Sequence, residues 1–311
     1  MSAGEHVVRR KQGGAAGAAG PSQAGPGLAG PGLAGSSLAG SSMAGSSLAS
    51  PARVLWRNIT GEAVAIGGPR SFLFRLTLPL GVLLPVIITL VVAAVSESLN
   101  SRDGLLGVTA VSTTNSVYWL LWIGVTVFAV SAAYRQAESE AGPVAETRRY
   151  AAPRLLTSMV ARWLVLGGLA AVLLGIATML TMLALPVFFP GVHSEVDAFT
   201  PEGVRFLWAL PVYAFAAVGV GLGIGALTPS APAAVAVLTV WSLLVENAVI
   251  LLPRGDVLTQ YMPFLNGVYG SGQDLALDPP WGRGGALLYL CLVALVLIVA
   301  GWLRTRAARR R

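Results

Sequence analysis

The residues that could do chemistry are few, and their spacing excludes more than it offers. A phosphate-cradling loop of the form G-x-x-x-x-G-K-[ST] needs a lysine to reach the phosphates. Lys11 is the only lysine in 311 residues and no such loop precedes it. A serine–histidine pair at membrane depth has no histidine to use, because His6 lies near the start and His193 falls between apolar runs. A paired-aspartate site fails in the same way: Asp103, Asp197, Asp256, Asp274 and Asp278 all lie outside the apolar runs. Two distant histidines and one cysteine, Cys291, do not make a zinc site. No catalytic residue, directly bound cofactor or metal is therefore expected, and the chain reads as a non-enzyme.

One carboxylate breaks the pattern. Glu246, followed by Asn247, sits inside an apolar run about six residues from its end. An ionisable group within a span costs a few kcal/mol, so it marks a candidate pathway or gate. The alternative is a structural carboxylate bonded to a neighbouring helix.

The elements that must position these residues are six apolar runs: Leu76 to Ser96, Val117 to Ala133, Trp163 to Phe189, Phe206 to Leu227, Ala233 to Leu252 and Ala286 to Trp302. Each approaches the roughly 20 residues that an α-helix needs to cross a bilayer. The composition agrees, with 55% apolar and only 11% charged residues. The net charge of +7 does not point to nucleic acid, since the basic residues flank apolar runs. An all-α polytopic membrane protein follows. Pro79 and Pro85 predict a kink in the first span.

Seventeen of the 21 basic residues fall on one side of the implied map. They are Arg9, Arg10, Lys11, Arg53, Arg57, Arg70 and Arg75 before the first span; Arg135, Arg148, Arg149, Arg154 and Arg162 between the second and third; and Arg304, Arg306, Arg309, Arg310 and Arg311 after the sixth. Arg102, Arg205, Arg254 and Arg283 take the other side. The positive-inside rule then puts both termini in the cytoplasm of a cell whose plasma membrane holds the chain. Arginine outnumbers lysine 20 to 1, which suits a GC-rich, bacterial coding sequence.

Residues 1–52 form a low-complexity tail with the repeat AGPGL, AGPGL, AGSSL, AGSSM, AGSSL, expected to be disordered. No signal-peptide-like apolar core follows Arg9, Arg10 and Lys11. Residues 53–75 mix aromatics with arginines and read either as an interfacial segment or as a basic flank. Residues 253–285 are external yet apolar in part, so they should fold back onto or into the outer leaflet. Residues 306–311 are a short basic tail. Gly219, Gly221, Gly223 and Gly225 match the small-xxx-small pattern of close helix packing, within one subunit or at a dimer seam. The charged stretch from Tyr134 to Arg162 is either a helix that docks a soluble partner or a solvated linker.

Several local strings carry a resemblance. These are Tyr134-Arg135 at the start of the charged stretch, Ala152-Pro153-Arg154 and Ala161-Arg162-Trp163 near its end, Leu244-Val245-Glu246, Leu252-Pro253 and Met262-Pro263-Phe264. With the order of elements, they make residues 53–305 resemble the permease subunit of a type-2 ABC exporter, of the actinobacterial kind. The chain departs from the pattern at Ala133, where a glutamate is usual, and at Gln136. The resemblance implies six spans, a cytoplasmic interfacial N-terminal segment and a folded-back external segment before the last span. It implies a second permease subunit, identical or different, and a separate cytoplasmic ATPase that supplies ATP hydrolysis. Tyr134, Arg135, Arg148, Arg149 and Arg154 would belong to the ATPase-coupling segment. Membrane lipids are the other expected partner, and nucleic acid is not one. A proton-coupled carrier using Glu246 and a non-transporting scaffold or sensor are the competing expectations.

Overall fold

A computed structural model describes residues 51–68, 71–100, 110–141 and 155–310. Residues 1–50 of the low-complexity tail, Arg70, Arg148, Arg149, Arg154 and Arg311 lie outside the described residues, and the last two residues assigned to the tail, Pro51 and Ala52, instead open α1. Ten helical elements follow in the described chain, and no strand occurs among its residues. They are α1 (Pro51–Ile66), α2 (Leu73–Asn100), α3 (Thr113–Glu140), α4 (Leu155–Phe188), α5 (Pro190–His193), α6 (Pro201–Leu227), α7 (Ala231–Leu251), α8 (Gly255–Thr259), α9 (Pro263–Ser271) and α10 (Gly282–Ala308). Six of these, α2, α3, α4, α6, α7 and α10, are long and apolar enough to span a membrane. The protein therefore has the architecture of a multi-pass helical membrane protein.

Most spans are longer than the apolar runs that announce them. The apolar run of the second span stops at Ala133, yet α3 continues to Glu140. That of the third begins at Trp163, yet α4 starts two turns earlier at Leu155. A first charge suggests a boundary, but Arg135 and Arg162 are paired with an acid and need not leave the helix (below). Phe72 and Phe74, grouped by sequence with the segment before the first span, instead stand at the entry to α2, whereas α1 ends at Ile66.

The centre of the bundle is α6, which packs against α3, α4, α9 and α10. It begins with a strong start signal: Thr200 Oγ1 accepts from Gly203 N at 3.2 Å, and Pro201 occupies the first turn, where no N–H is needed. Ser230 does the same for α7, accepting from Ala233 N at 3.4 Å, and only Thr228, Pro229 and Ser230 connect α6 to α7, which packs mainly against α3. By contrast α2 and α7 lie at the edge. Leu83, Ile87, Val91 and Val95 on α2, and Val237, Val240 and Leu244 on α7, face outward. Apolar side chains facing outward suit hydrocarbon surroundings.

The expected disruption by proline takes the form of widened turns. α2 contains two π-helical stretches, Leu73–Thr77 and Pro79–Leu83. A wide turn accommodates a proline that has no N–H to give. Further π turns occur at Leu120–Gly124 in α3 and Val240–Val245 in α7. The wide turns of α2 and α3 meet where Gly81 O would lie 2.9 Å from a Cβ on Gly124. One turn toward the N-terminus of α2, Thr77 and Ser131 share a buried hydrogen bond of 2.8 Å.

Candidate functional site

Glu246 is completely buried, and three donors converge on it. Its Oε1 accepts from Trp241 Nε1 at 2.8 Å and from Phe264 N at 3.1 Å, and its Oε2 accepts from Leu265 N at 2.8 Å. The two backbone donors open α9. That helix begins with Pro263, and the residue before it, Met262, has no side-chain oxygen to offer. The carboxyl group from α7 thus supplies the cap that the local sequence lacks, with its oxygens at the positive end of the α9 dipole.

The opposite end of α9 is met by a cation. Arg205 Nε and Nη2 both donate to Gly270 O, at 3.1 and 2.7 Å. Between the two ends, Asn266 is fully buried and donates from Nδ2 to Gln260 O and Met262 O, both at 2.8 Å. Its Oδ1 accepts from Trp281 Nε1 at 2.9 Å. A Cβ on Gly267 would overlap the Tyr213 ring, so only glycine lets α9 lie this close to α6. The folded-back segment expected before the last span is therefore present, and protein groups satisfy the first N–H groups of α9 and a carbonyl at its far end, as an apolar setting requires.

Asn247 does not share this site. It is exposed on α7, and its Nδ2 donates to Ser242 O and Leu243 O of its own helix at 3.4 and 3.1 Å. The structure thus separates the pair that adjacency in sequence had joined.

A second polar centre lies at the other end of the bundle. Glu62 of α1 accepts through Oε1 from Arg162 Nε at 3.2 Å and Nη2 at 2.8 Å, and its Oε2 lies 3.6 Å from Arg135 Nη2. Arg162 Nη1 also donates to Gln136 Oε1 and to Ser139 Oγ. The side chains of Arg135 and Arg162 are only 13% and 4% exposed, so neither is a free surface charge. Tyr134 stacks on Phe72, with ring centroids 5.0 Å apart. Asn58 Nδ2 donates to Thr157 Oγ1 at 3.3 Å, and Arg309 pairs with Glu140 at 3.3 Å. A cavity of about 400 Å³ lies beside this junction, bordered by Arg57, Glu62, Ser139, Glu140, Ser158 and Arg162 among others. Of the five residues expected in the coupling segment, Tyr134 and Arg135 are thus built into α3 and braced against α1 and α2. Arg148, Arg149 and Arg154 lie outside the described residues.

The four glycines of α6 pack inside the subunit. A Cβ on Gly221 would overlap Ala129 O, and one on Gly225 would overlap Ala133 O, both on α3. Gly219 faces the Trp163 ring of α4, and Gly223 faces Leu297 of α10.

Sequence reasoning missed Glu62, Arg162, Arg205 and Glu97 as organising residues. Glu97, near the end of α2, accepts from Gly191 N at 2.8 Å and Val192 N at 2.9 Å, and so caps α5. A signal for two such carboxylate caps was present: Pro190 and Pro263 each follow an apolar residue, Phe189 or Met262, that cannot cap the helix it precedes. Among the described residues, no group of three or more His, Cys, Asp or Glu could hold a metal ion. No protein-family model, curated protein or solved structure matches the chain.

Proposed function

We propose that the chain is the membrane-spanning permease subunit of an ATP-driven exporter in a bacterial plasma membrane, with both termini in the cytoplasm. It would pair with a second permease subunit and draw energy from a separate cytoplasmic ABC ATPase. The observation that carries this reading is the braced corner at the α3–α4 connection. Glu62, Arg135, Arg162, Gln136 and Ser139 tie α1, the end of α3 and the start of α4 together. A push applied to residues 142–154 would therefore reach two spans and α1 at once, which is what a coupling segment must do. The six long apolar helices and the folded-back α8 and α9 before α10 lend further support.

Co-purification tests the proposal. The full chain, extracted in mild detergent, is expected to bring down an ATP-binding subunit, and deletion of residues 142–152 is expected to abolish that recovery. Recovery of the ATPase by the deletion variant at the full-chain level overturns the coupling assignment; no ATPase with either form overturns the exporter reading. A proton-coupled carrier that uses Glu246 draws less support, because three hydrogen bonds already engage that carboxylate in holding α9.

A further inference from the structure

A second cavity, of about 250 Å³, lies at the end of the bundle where α2 stops and α3 begins. Three elements line it. Thr89 and Ser96 come from α2, Asn115, Tyr118 and Trp119 from the start of α3, and His193 from α5. None of its lining residues is an acid, a lysine or an arginine.

The site is built rather than incidental. His193 is 6% exposed, and its Nδ1 is buried with no hydrogen-bond partner among the described residues. Its position is fixed from both sides of the chain. The Glu97 carboxylate holds the first turn of α5, and Val111 N donates to Val192 O at 2.9 Å. Asn115 Oδ1 accepts from Gln273 Nε2, which orients that amide. Thr89 Oγ1 donates to Pro85 O at 2.8 Å, so its oxygen keeps only acceptor capacity toward the cavity. A buried polar atom without a partner costs about 1–3 kcal/mol unless something fills the role.

Charge selects the ligand. Burial lowers the His193 pKa from its ordinary value, with the nearby Glu97 charge acting in the opposite direction, so the ring is neutral at physiological pH. An anion finds no countercharge in the lining. No carboxylate lines the cavity, so a cation has no direct ion-pair partner in it either. Size sets a further limit. The volume falls below the roughly 300 Å³ at which whole drug-sized ligands begin to fit. Among the lining residues, Val92 and Tyr118 are exposed on the outward side of α2 and α3. A polar head can therefore sit inside while an apolar chain stays outside.

We infer that this cavity binds the uncharged, hydrogen-bonding headgroup of an amphiphile, a hydroxyl- or amide-bearing head whose chain remains beside α2. His193, Ser96 and Asn115 hold the head, and Tyr118 and Trp119 wall it. The inference goes beyond the permease reading and does not need it, because binding is measured without an ATPase.

The test uses the full chain in phosphatidylcholine nanodiscs and a monoacylglycerol carrying a diazirine next to its headgroup. Saturable labelling of the peptides that contain Tyr118 and His193 is expected, competed by unlabelled monoacylglycerol. His193→Phe and Ser96→Leu, which each fill the cavity, should reduce that labelling at least threefold. His193→Gln, still polar and uncharged, should retain it, which separates lost binding from lost folding. Labelling spread evenly over the outward faces of the spans, or unchanged in His193→Phe, overturns the inference. Equal competition by phosphatidylglycerol overturns the preference for an uncharged head. The same chemistry has two sources, a resident lipid or a transported amphiphile. Mass spectrometry of lipids retained on the purified protein tells them apart: a retained uncharged lipid assigns the bilayer, and a saturable but vacant site assigns cargo.

Discussion

Glu97 and Glu246 perform one task in two settings. Each extends from a span toward a short helix that starts with proline, and each carboxylate oxygen takes one of two successive backbone N–H groups. Glu97 is only partly buried and caps the four-residue α5. Glu246 is wholly buried, caps the nine-residue α9 and takes a third donor from Trp241. The lesson is that geometry alone does not set the weight of a cap. Where water can replace the carboxylate, loss costs little. Where it cannot, every abandoned donor stays unpaired.

The sharpest way to break the comparison is Glu246→Ala. It strands two backbone N–H groups and one indole N–H, and should cost on the order of 3 kcal/mol or more. The readout is the midpoint of thermal unfolding of purified protein, with protease cleavage near Met262 as a local report on α9. Glu246→Gln keeps the shape but turns an N–H2 toward one of the donors. About 2 kcal/mol should be lost in the same assay, and a variant as stable as the parent would show that the charge at the α9 N-terminus contributes nothing.

Glu97→Ala should cost about 1 kcal/mol, the usual worth of a solvent-accessible cap. If its effect equals that of Glu246→Ala, burial is not what distinguishes the two sites. Trp241→Phe should cost about 1 kcal/mol in the parent and close to nothing in Glu246→Ala; a double-mutant cycle on unfolding midpoints measures that coupling.

The smallest effect concerns pH at the Glu97 end. Burial, opposed by Glu97, lowers the His193 pKa. The unfolded chain therefore binds the proton more readily, and stability is lost as pH falls from about 6.5 toward the lower folded value. His193→Gln should flatten that slope in unfolding midpoints taken between pH 7 and pH 5. A Glu97→Ala variant should steepen it, by removing the charge that favours the imidazolium.

The spans were readable because an apolar run of this length matches the thickness of a bilayer's hydrocarbon layer. Their ends were not. Arg135 and Arg162 looked like boundaries, and only the contact with Glu62, about 100 residues from Arg162, shows why each can stay helical and buried. Glu246 stood out as a lone carboxylate in an apolar run. Its partners did not, because backbone N–H groups 18 and 19 positions away carry no side-chain signature. Asn247 was drawn in by adjacency, although neighbours on a helix point about 100° apart and do not share a face. The glycines on α6 were legible as packing residues, but one stripe turned out to serve three neighbours, since Gly219 and Gly223 face away from the side that Gly221 and Gly225 present to α3.

Those glycines bear on how such a molecule could change shape. With main chain against main chain at Gly221 and Gly225, a slide of α6 along α3 by even a fraction of a turn would drive carbonyl oxygens into Cα atoms. We expect α3, α4, α6 and α10, which meet through these glycines, to shift as one piece. The freer span is α7, which lies at the edge of the bundle and carries a widened turn of its own. Cysteine cross-links placed across α6 and α10 should leave any working cycle intact, whereas links that clamp α7 to α3 should stall it.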